Sequence, residues 1–361
     1  DLAEASAGGG TIAWIDEGGS LRVGPMSAGA TPGPACYGKG GTEPTVTDAN
    51  LVLNRMDPTI GGKIDLKIDL ARKAIKKMGD RIGLSVEATA SGIIDIVCEN
   101  MAAATKMVTT DRGRDPRDFV PIVFGGAGPM HGCFIAESFN MKKLVIAGNS
   151  GLTSALGAIT LPIRHDAEAT FYSEIDRVDL ELLNSKFKTL EKESIDMLEK
   201  EGVLVKDMEI SRTAEMRYVG ETFEIPVPFP NVEINKRVIE KIKDDFHKIH
   251  QKEYFTHSKE LKIAIVNLRI AAKGTVGGKV KLPTYPESRT EDSSTAIKER
   301  RNVYFDGKFR KTNVYDWSML KPNHVVDGPT IVEMPHSCAV IPKYWKGKVD
   351  RFKNLILTYE K

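Results

Sequence analysis

Apolar residues recur at steps of three and four in two consecutive stretches of this chain, which is the spacing of one buried helix face. The first stretch ends at Gly83, and the second begins after Ser85, a residue type that often caps helices. Continuous apolar runs at residues 121–124 and 143–147 are typical of buried strands. Helices and strands therefore alternate over residues 85–162, which predicts an α/β layer.

Two short β runs and a long segment rich in glycine and proline precede this layer. Residues 11–15 and 21–23 have the pattern of the two strands of a hairpin. The glycine and proline content of residues 27–55 predicts a rigid, ordered loop, which ends in a helix capped near Thr47 or Asp48. The start of the chain is thus expected to hold loops and hairpins rather than long helices.

The pattern changes after about residue 165. A long charged helix is predicted between the capping residue Asp179 and Gly202, followed by two strands, a helix and another strand. Short β runs separated by Asp-Gly and Lys-Gly turns indicate a small barrel or sandwich near the end of the sequence. We therefore predict three parts: residues 1–165 as one domain with glycine-rich loops that includes the α/β layer, residues 166–280 as an α+β domain, and residues 281–361 as a linker and a C-terminal β domain.

Composition narrows the function classes without choosing one. The 361 residues are 41% hydrophobic and 28% charged, which suits two or three domains with cores of their own. The formal net charge is +2, so no overall field favours nucleic acid or an anionic membrane, and we expect neither as a partner. The sequence shows no apolar run of transmembrane length, no signal peptide and no CxxC pair among its four cysteines. We therefore expect a cytoplasmic protein without disulfides or a zinc cluster.

The strongest chemical signal is a glycine turn between a predicted strand and the next helix. Residues 121–132 read PIVFGGAGPMHG, in which Gly125, Gly126 and Gly128 remove side chains that would keep a ligand away from the backbone. Pro129 suits the first turn of a helix, whose free N–H groups attract anions. This arrangement fits a nucleotide, and tight packing of the strand against the helix is the alternative.

Three weaker signals are better explained by ordinary structure. Residues 33–39 have the spacing of a phosphate-binding P-loop, but Gly40 replaces the required Ser or Thr and no strand precedes them. Residues 16–20 imitate the acidic-glycine hairpin of actin-like ATPases, although a plain tight turn explains them better. His247 and His250 share a predicted helix face, yet no clustered cysteine or carboxylate accompanies them. We therefore predict solvated histidines and no metal site.

Several long segments together resemble one protein family. In chain order they are SAGATPGPACYGKGGTEPTVTDANLVL, DPRDFVPIVFGGAGPMHG, GLTSALG, MRYVGETFEIPVP and NVYFDGKFRKTNVYDWSMLKPNHVVDGPTIVE. They are similar to A-type subunits of the ATP-dependent hydantoinase/oxoprolinase family, and the resemblance spans essentially the whole chain. Departures such as Glu221, where the family usually has Gln, lie away from the glycine turn and bear on substrate or partner contacts.

The resemblance implies part of an actin-like, sugar-kinase-like ATPase core with a ribonuclease H-like fold. Such a core binds ATP between two lobes, with two acidic-glycine hairpins at the phosphates and a Gly-Gly loop at the adenosine. Residues 124–131 resemble the adenosine loop, whereas the phosphate hairpins belong to a portion that precedes residues 7–10 in the family. The resemblance therefore implies half of an ATP site here, with a separate or cleaved N-terminal ATPase portion as the partner.

The resemblance also implies which residues contact the ligands. The expected nucleotide and cleft contacts are Gly8, Gly9, Gly10, Gly125, Gly126, Ala127, Gly128 and His131, the last as a capping or phosphate-side donor. Asp48 and Asn50 are polar residues at a helix N-terminus that could reach the cleft as catalytic residues, and helix capping is their alternative role. Mg²⁺ is expected with ATP, because phosphoryl transfer depends on charge neutralisation.

Members of the family activate an unreactive carbonyl or enol oxygen by phosphorylation. For this chain the resemblance implies a subunit of an ATP-dependent amidohydrolase that acts on a small carbonyl substrate, a cyclic amide or imide such as a hydantoin or oxoproline. A ketone carboxylase of the acetone or acetophenone type, usually working with a B-type subunit, is one alternative. A non-catalytic scaffold for a B-type subunit is the other.

Overall fold

A computed structural model describes residues 3–60, 64–275 and 281–361 of the chain. Contacts divide it into two compact units. The first consists of Asp1–Gly157 together with Leu282–Lys361, and the second is Ala158–Lys281. The second unit is continuous in sequence and interrupts the first. Each unit has its own core of buried apolar side chains.

The secondary structure is as follows. In chain order the strands are β1 (Thr11–Ile15), β2 (Leu21–Ser27), β3 (Thr59–Ile60), β4 (Ile64–Asp65), β5 (Ile122–Val123), β6 (Lys143–Ile146), β7 (Ile163–Glu174), β8 (Met208–Tyr218), β9 (Ile225–Phe229), β10 (Ile263–Gly274), β11 (Ile297–Phe305), β12 (Lys308–Asp316), β13 (Val325–Asp327), β14 (Thr330–Met334), β15 (Ser337–Ile341), β16 (Trp345–Val349) and β17 (Leu355–Tyr359). The helices are α1 (Val46–Val52), α2 (Ile68–Ile82), α3 (Val86–Val108), α4 (Gly128–Ser138), α5 (Thr153–Thr160), α6 (Leu180–Lys200) and α7 (Lys236–Tyr254).

The predicted alternation of helices and strands over residues 85–162 is confirmed by α3, β5, α4, β6 and α5. Ser85 caps α3 as predicted, because its hydroxyl accepts the amide of Ala88 at 3.2 Å. The predicted start of α1 is wrong by two or three residues, since Thr45 rather than Thr47 or Asp48 is the N-cap. No helix in the described part of the chain combines the length and the apolarity needed to cross a bilayer.

The sheet that contains β5 is completed by strands from the end of the sequence. Its order is β13-β16-β17-β6-β5, with β5 parallel and β17 antiparallel to β6. Leu355 pairs with Ile146 and Leu357 pairs with Leu144, and all four side chains are buried. Contacts thus group Leu282–Lys361 with the first unit, whereas the sequence predicts a β domain of its own there. Local patterns do not show that β17 covers the apolar edge of β6.

A second sheet, of order β11-β12-β14-β15, packs against α4 in the same unit. Met130 and Phe134 of α4 contact a cluster of buried side chains from this sheet, namely Val303, Phe305, Val314, Ile331, Cys338 and Val340. The turn between β14 and β15 is therefore held beside the start of α4, where the glycine turn lies.

The second unit is an antiparallel sheet of order β7-β10-β8-β9, against which α6 and α7 pack through Phe187 and Phe246. The predicted cap of α6 is confirmed, because Asp179 Oδ1 accepts the amides of Glu181 and Leu182, each at 3.0 Å. The sequence did not predict β7. Its exposed side chains alternate with half-buried ones, but the half-buried ones are largely small or polar, so the apolar signal by which strands are recognised is weak.

His247 and His250 of α7 are buried, so the prediction of solvated histidines is wrong for both. The hydroxyl of Tyr218 lies 2.8 Å from His247 Nδ1. His250 lies between Thr256 O, 2.6 Å from its Nδ1, and Glu221 Oε1, 3.3 Å from its Nε2. These contacts tie the end of β8 to the segment after α7. Within the described ranges no three His, Cys, Asp or Glu side chains form a group that could hold a metal.

The cysteines are packing residues. The four of them, Cys36, Cys98, Cys133 and Cys338, are buried and free. Burial raises the pKa of the Cys98 and Cys338 thiols to about 12. Both thiols therefore stay protonated at neutral pH and are poor nucleophiles.

Gly148 marks the closest approach between the end of β6 and the loop before β17. A Cβ atom on Gly148 would overlap the carbonyl oxygen of Lys353. The amide of Gly148 donates to Asn354 Oδ1 at 3.1 Å. We expect Gly148→Ala to lower the free energy of unfolding by about 2–3 kcal/mol, because the two backbone segments must separate to admit the methyl group. Urea unfolding beside Gly157→Ala, whose Cβ would meet no atom within 4 Å, measures this effect. Equal midpoints for the two variants would contradict the expectation.

Candidate functional site

The glycine loop, residues 125–128, follows β5 directly and leads into α4. Gly125 has φ of +91°, a left-handed value that favours glycine, and its amide donates to Ser150 O at 2.7 Å. A Cβ atom on Gly126 would meet a single atom within 4 Å, the carbonyl oxygen of His336 at 3.8 Å. Packing within the chain therefore does not require glycine at position 126, which favours a ligand over tight packing as its reason.

Gly126 and Ala127 of this loop line a cavity of about 800 Å³ within the first unit, whereas Gly125 and Gly128 are not part of the wall formed by the described residues. One part of the wall is formed by the glycine loop, α4, α1 and the segments around α1. The other part is formed by β11, β12, β14, β15 and the turns beside them. Its residues are Gly9, Tyr37, Thr47, Asn50, Met56, Asp57, Thr59, Gly126, Ala127, Met130, Lys298, Asp316, Ser318, Glu333, Met334, Pro335, His336, Ser337 and Cys338. A cavity of this size accommodates a nucleotide or another small molecule.

Charged side chains are concentrated where β11 and β14 meet the cavity. Lys298 Nζ lies 2.8 Å from Asp57 Oδ2 and 2.8 Å from Glu333 Oε2, and Arg301 Nη1 lies 2.8 Å from Glu333 Oε1. Hydrogen bonds to Asp57 and then to Glu333 raise the pKa of Lys298 above its ordinary value. The cavity thus contains an ammonium group that stays protonated and is held in place by two carboxylates.

Asp48 is fully buried and serves as the centre of a capping box. Its Oδ1 accepts the amide of Cys36 at 2.8 Å, and its Oδ2 accepts the amides of Ala35 and Thr45 at 3.2 and 2.9 Å. The Thr45 hydroxyl donates to Oδ2 at 2.8 Å. Of the two alternatives left by the sequence, these contacts support helix capping. Asp48 does not belong to the cavity wall formed by the described residues, and its catalytic role stays a prediction.

Asn50 lies two residues further along α1, in the cavity wall. Its side chain is buried, with Nδ2 donating to Val46 O at 3.1 Å. Its Oδ1 has no hydrogen-bond partner among residues 3–60, 64–275 and 281–361. An unpaired buried acceptor costs free energy, and this oxygen is itself closed off from the cavity. The geometry makes Asn50 a candidate for contact, and its catalytic role stays a prediction.

The three glycines predicted to line the cleft have different positions. Gly9 lies in the cavity wall, and its carbonyl accepts both the amide and the hydroxyl of Thr47, each at 2.8 Å. Gly8 and Gly10 instead hold the β1–β2 hairpin. The amide of Gly8 donates to Thr11 Oγ1 at 2.8 Å, and the carbonyl of Gly10 accepts the amide that follows β2 at 2.8 Å.

His131, predicted as a capping or phosphate-side donor, does not belong to the cavity wall formed by the described residues. It is fully buried, its Nδ1 is 3.5 Å from Cys98 Sγ of α3, and its Nε2 has no partner in the described part of the chain. Burial, and then the charge of Arg55, lower the pKa of His131 to about 4. The ring is therefore neutral at physiological pH and packs against α3, and its role as a capping or phosphate-side donor stays a prediction.

Two family models match almost the whole chain. The model described as hydantoinase/oxoprolinase matches residues 1–167, and the model described as hydantoinase/oxoprolinase C-terminal domain matches residues 173–360. The chain belongs to the hydantoinase/oxoprolinase family. The family that the sequence segments resemble is thereby confirmed.

Relatives in this hydantoinase/oxoprolinase family include proteins of known and unknown activity. An uncharacterised protein of Methanocaldococcus jannaschii is 41% identical over 353 residues, covering 98% of this chain and 50% of that protein. Caprolactamase subunit alpha of Pseudomonas jessenii is 34% identical over 354 residues, covering 95% of this chain and 50% of that subunit. Acetophenone carboxylase gamma subunit of Aromatoleum aromaticum is 32% identical over 367 residues, covering 95% of this chain and 49% of that subunit. The chain therefore spans about half the length of the curated relatives it matches.

A solved structure shows the same fold. The crystal structure of the ATP-dependent caprolactamase from Pseudomonas jessenii superimposes with a TM-score of 0.80 at 31% identity, covering 98% of this chain and 52% of that one. The predicted α/β fold with an actin-like ATPase core is confirmed by this likeness.

The sequence reasoning missed the residues that the β11–β15 sheet brings to the cavity. Lys298, Asp316, Glu333 and His336 all line it, although they lie far from the glycine loop in sequence. One signal was present: Glu333 and His336 flank a proline between two apolar runs, which places polar groups at the tip of a predicted hairpin. Nothing local, however, shows that this hairpin tip packs beside α4.

Proposed function

We propose that this chain is a subunit of an ATP-dependent enzyme that activates the carbonyl or enol oxygen of a cyclic amide or imide for hydrolysis. The observation that carries the proposal is its similarity, at 34% identity, to the alpha subunit of a caprolactamase whose structure is described as ATP-dependent. A caprolactam is a cyclic amide, so a substrate of that class is proposed here. The glycine loop on a cavity of about 800 Å³ supports a nucleotide site.

The residues of the cavity fit a nucleotide. The backbone of Gly126 is open towards the cavity, because a Cβ atom there would meet one atom at 3.8 Å, and Asn50 lies in the cavity wall. We propose that residues 125–128 contact the adenosine part and that Lys298 neutralises developing charge on an oxygen. Bound ATP would supply the phosphoryl group.

We propose that Mg²⁺ enters the site bound to the nucleotide and is not held by a metal site of this chain. Of the three carboxylates that the described residues bring to the cavity wall, Asp57 and Glu333 are already paired with Lys298, which leaves Asp316 as a single ligand for an ion. We therefore assign the ion to the phosphates and to the portion of the site outside this sequence. The proposed partners are an N-terminal ATPase portion with the phosphate loops and a B-type subunit, and the proposed compartment is the cytoplasm.

A ketone carboxylase is the second candidate function. This candidate is favoured by the similarity to the acetophenone carboxylase gamma subunit. The identity to that subunit is 32%, which is close to the 34% identity to the caprolactamase subunit. The same activation of an enol oxygen by phosphorylation would then be followed by attack on activated bicarbonate rather than by entry of water.

ATP turnover by the complete assembly tests the proposal. We expect a cyclic amide such as caprolactam, 5-oxoproline or hydantoin to stimulate release of ADP at least about tenfold, because activation of the substrate consumes the phosphoryl group. Acetone or acetophenone with bicarbonate serves as the comparison, and stimulation by these, with AMP formed, would favour the carboxylase. An assembly whose ATP turnover responds to neither class would contradict both candidates and favour the scaffold.

A further inference from the structure

The strand that leads into the glycine loop has a free edge. In the described part of the chain, β5 is the last strand of the order β13-β16-β17-β6-β5. The carbonyls of Pro121 and Val123 accept amides from β6 and from the residue after it, at 2.9 and 3.1 Å. Because backbone groups of successive residues in a strand point to opposite sides, those of Ile122 point away from β6. An edge of this kind can pair with a strand of another segment.

The side chains at this edge are apolar and exposed. Phe119, Val120, Ile122 and Phe124, which we call the β5 patch, are 47%, 49%, 66% and 46% exposed. Val123 packs on the core from the opposite face of the strand. Parallel strands such as β5 and β6 are normally covered on both faces, so this face lacks the layer that parallel strands require.

We propose that the β5 patch is the docking surface for the half of the relatives' chains that this sequence does not match. That half would add a strand along the free edge of β5 and cover the apolar face. The inference rests on the proposed function and deepens it, because it names where the second part of the ATP site attaches. Since the glycine loop begins one residue after Phe124, a strand added here ends beside the proposed nucleotide contact.

The choice of this occupant follows from the lengths of the relatives. The alignments cover 95–98% of this chain but 49–50% of the three relatives described above, so each carries a second half that must pack somewhere. The caprolactamase structure retains the present fold at a TM-score of 0.80 inside a chain about twice as long. A second copy of this chain, paired edge to edge through β5, is the competing outcome.

Complex formation between the two halves tests the docking surface. The probe is the polypeptide of the same organism that matches the relatives' remaining half. We expect a one-to-one complex in which the amide of Ile122 exchanges with deuterium more slowly, and Ile122→Lys should weaken the complex at least about tenfold, because it buries a charge in an apolar contact. Phe119→Ser should act in the same direction. Leu84→Lys, at a side chain that is 45% exposed elsewhere in the first unit, is the matched control and should change the affinity less than about twofold.

The outcomes separate this inference from the proposed function, since neither readout uses ATP. A complex that Ile122→Lys and Phe119→Ser leave as tight as before would overturn the docking surface, as would a homodimer of this chain that these variants disperse. A complex weakened by both variants that turns over no ATP would uphold the docking surface and overturn the proposed function. Where the halves form one chain, the substitutions are made in it and exchange at Ile122 is the readout.

Discussion

Replacing Gly126 by valine is expected to weaken ATP binding at least about 100-fold while the fold is retained. A Cβ atom at this position meets one atom within 4 Å, His336 O at 3.8 Å, and Gly126 is not in the left-handed region. A valine is therefore accommodated by the backbone, and its branched side chain projects into the cavity where the base or ribose is proposed to lie. Calorimetric titration of the assembled enzyme with ATP measures the change.

The control for this variant is Gly18→Val, a glycine of the exposed β1–β2 turn that is likewise outside the left-handed region. It should bind ATP as the unmodified protein does. Far-ultraviolet circular dichroism and the urea midpoint should be the same for Gly126→Val as for the parent. Unchanged affinity in a folded Gly126→Val protein would show that the loop is structural only.

Removal of the Asp48 carboxylate should destabilise the first unit by about 3–5 kcal/mol. In Asp48→Ala the buried amides of Ala35, Cys36 and Thr45 would lose their acceptor at once, and the cap of α1 would be lost as well. Denaturant unfolding followed by tryptophan fluorescence measures this loss. The result separates the two roles left open by the sequence, since a purely catalytic carboxylate would lower turnover and leave the unfolding midpoint in place.

Asn50→Ala provides the matched comparison, because it removes a buried polar side chain from the same helix. Asn50 has one hydrogen bond, to Val46 O, and an unpaired Oδ1, so the cost should be within about 1 kcal/mol. If Asp48→Ala proved no less stable than Asn50→Ala, the capping role assigned to Asp48 would be wrong.

Features set by neighbouring residues were predictable from the sequence. The glycine loop could be located because an apolar strand, three glycines and a proline follow one another between residues 121 and 129, and each restricts the backbone locally. The caps at Ser85 and Asp179 were found for the same reason, since a side chain that accepts amides two or three residues later needs no distant partner.

Features set by distant partners were not predictable. Whether a polar side chain such as His131 or His247 is buried depends on which helix or strand packs over it, and no local pattern contains that information. The pairing of Lys298 with Asp57 joins residues that are far apart in sequence. The alternatives for Asp48 stayed open for the same reason. Two of the amides that donate to its carboxylate, those of Ala35 and Cys36, lie in the preceding loop.

The pairing of β17 with β6 determines when the sheet that contains β5 and β6 can be completed during protein synthesis. Residues 158–281 leave the ribosome with every strand of their own sheet, so they can fold while translation continues. β6 has to wait until residues 355–359 have been made, about 200 codons later, which at roughly 5–20 residues per second is about 10–40 s. For that interval the nascent chain presents an uncovered strand edge, and an edge of that kind is prone to aggregation.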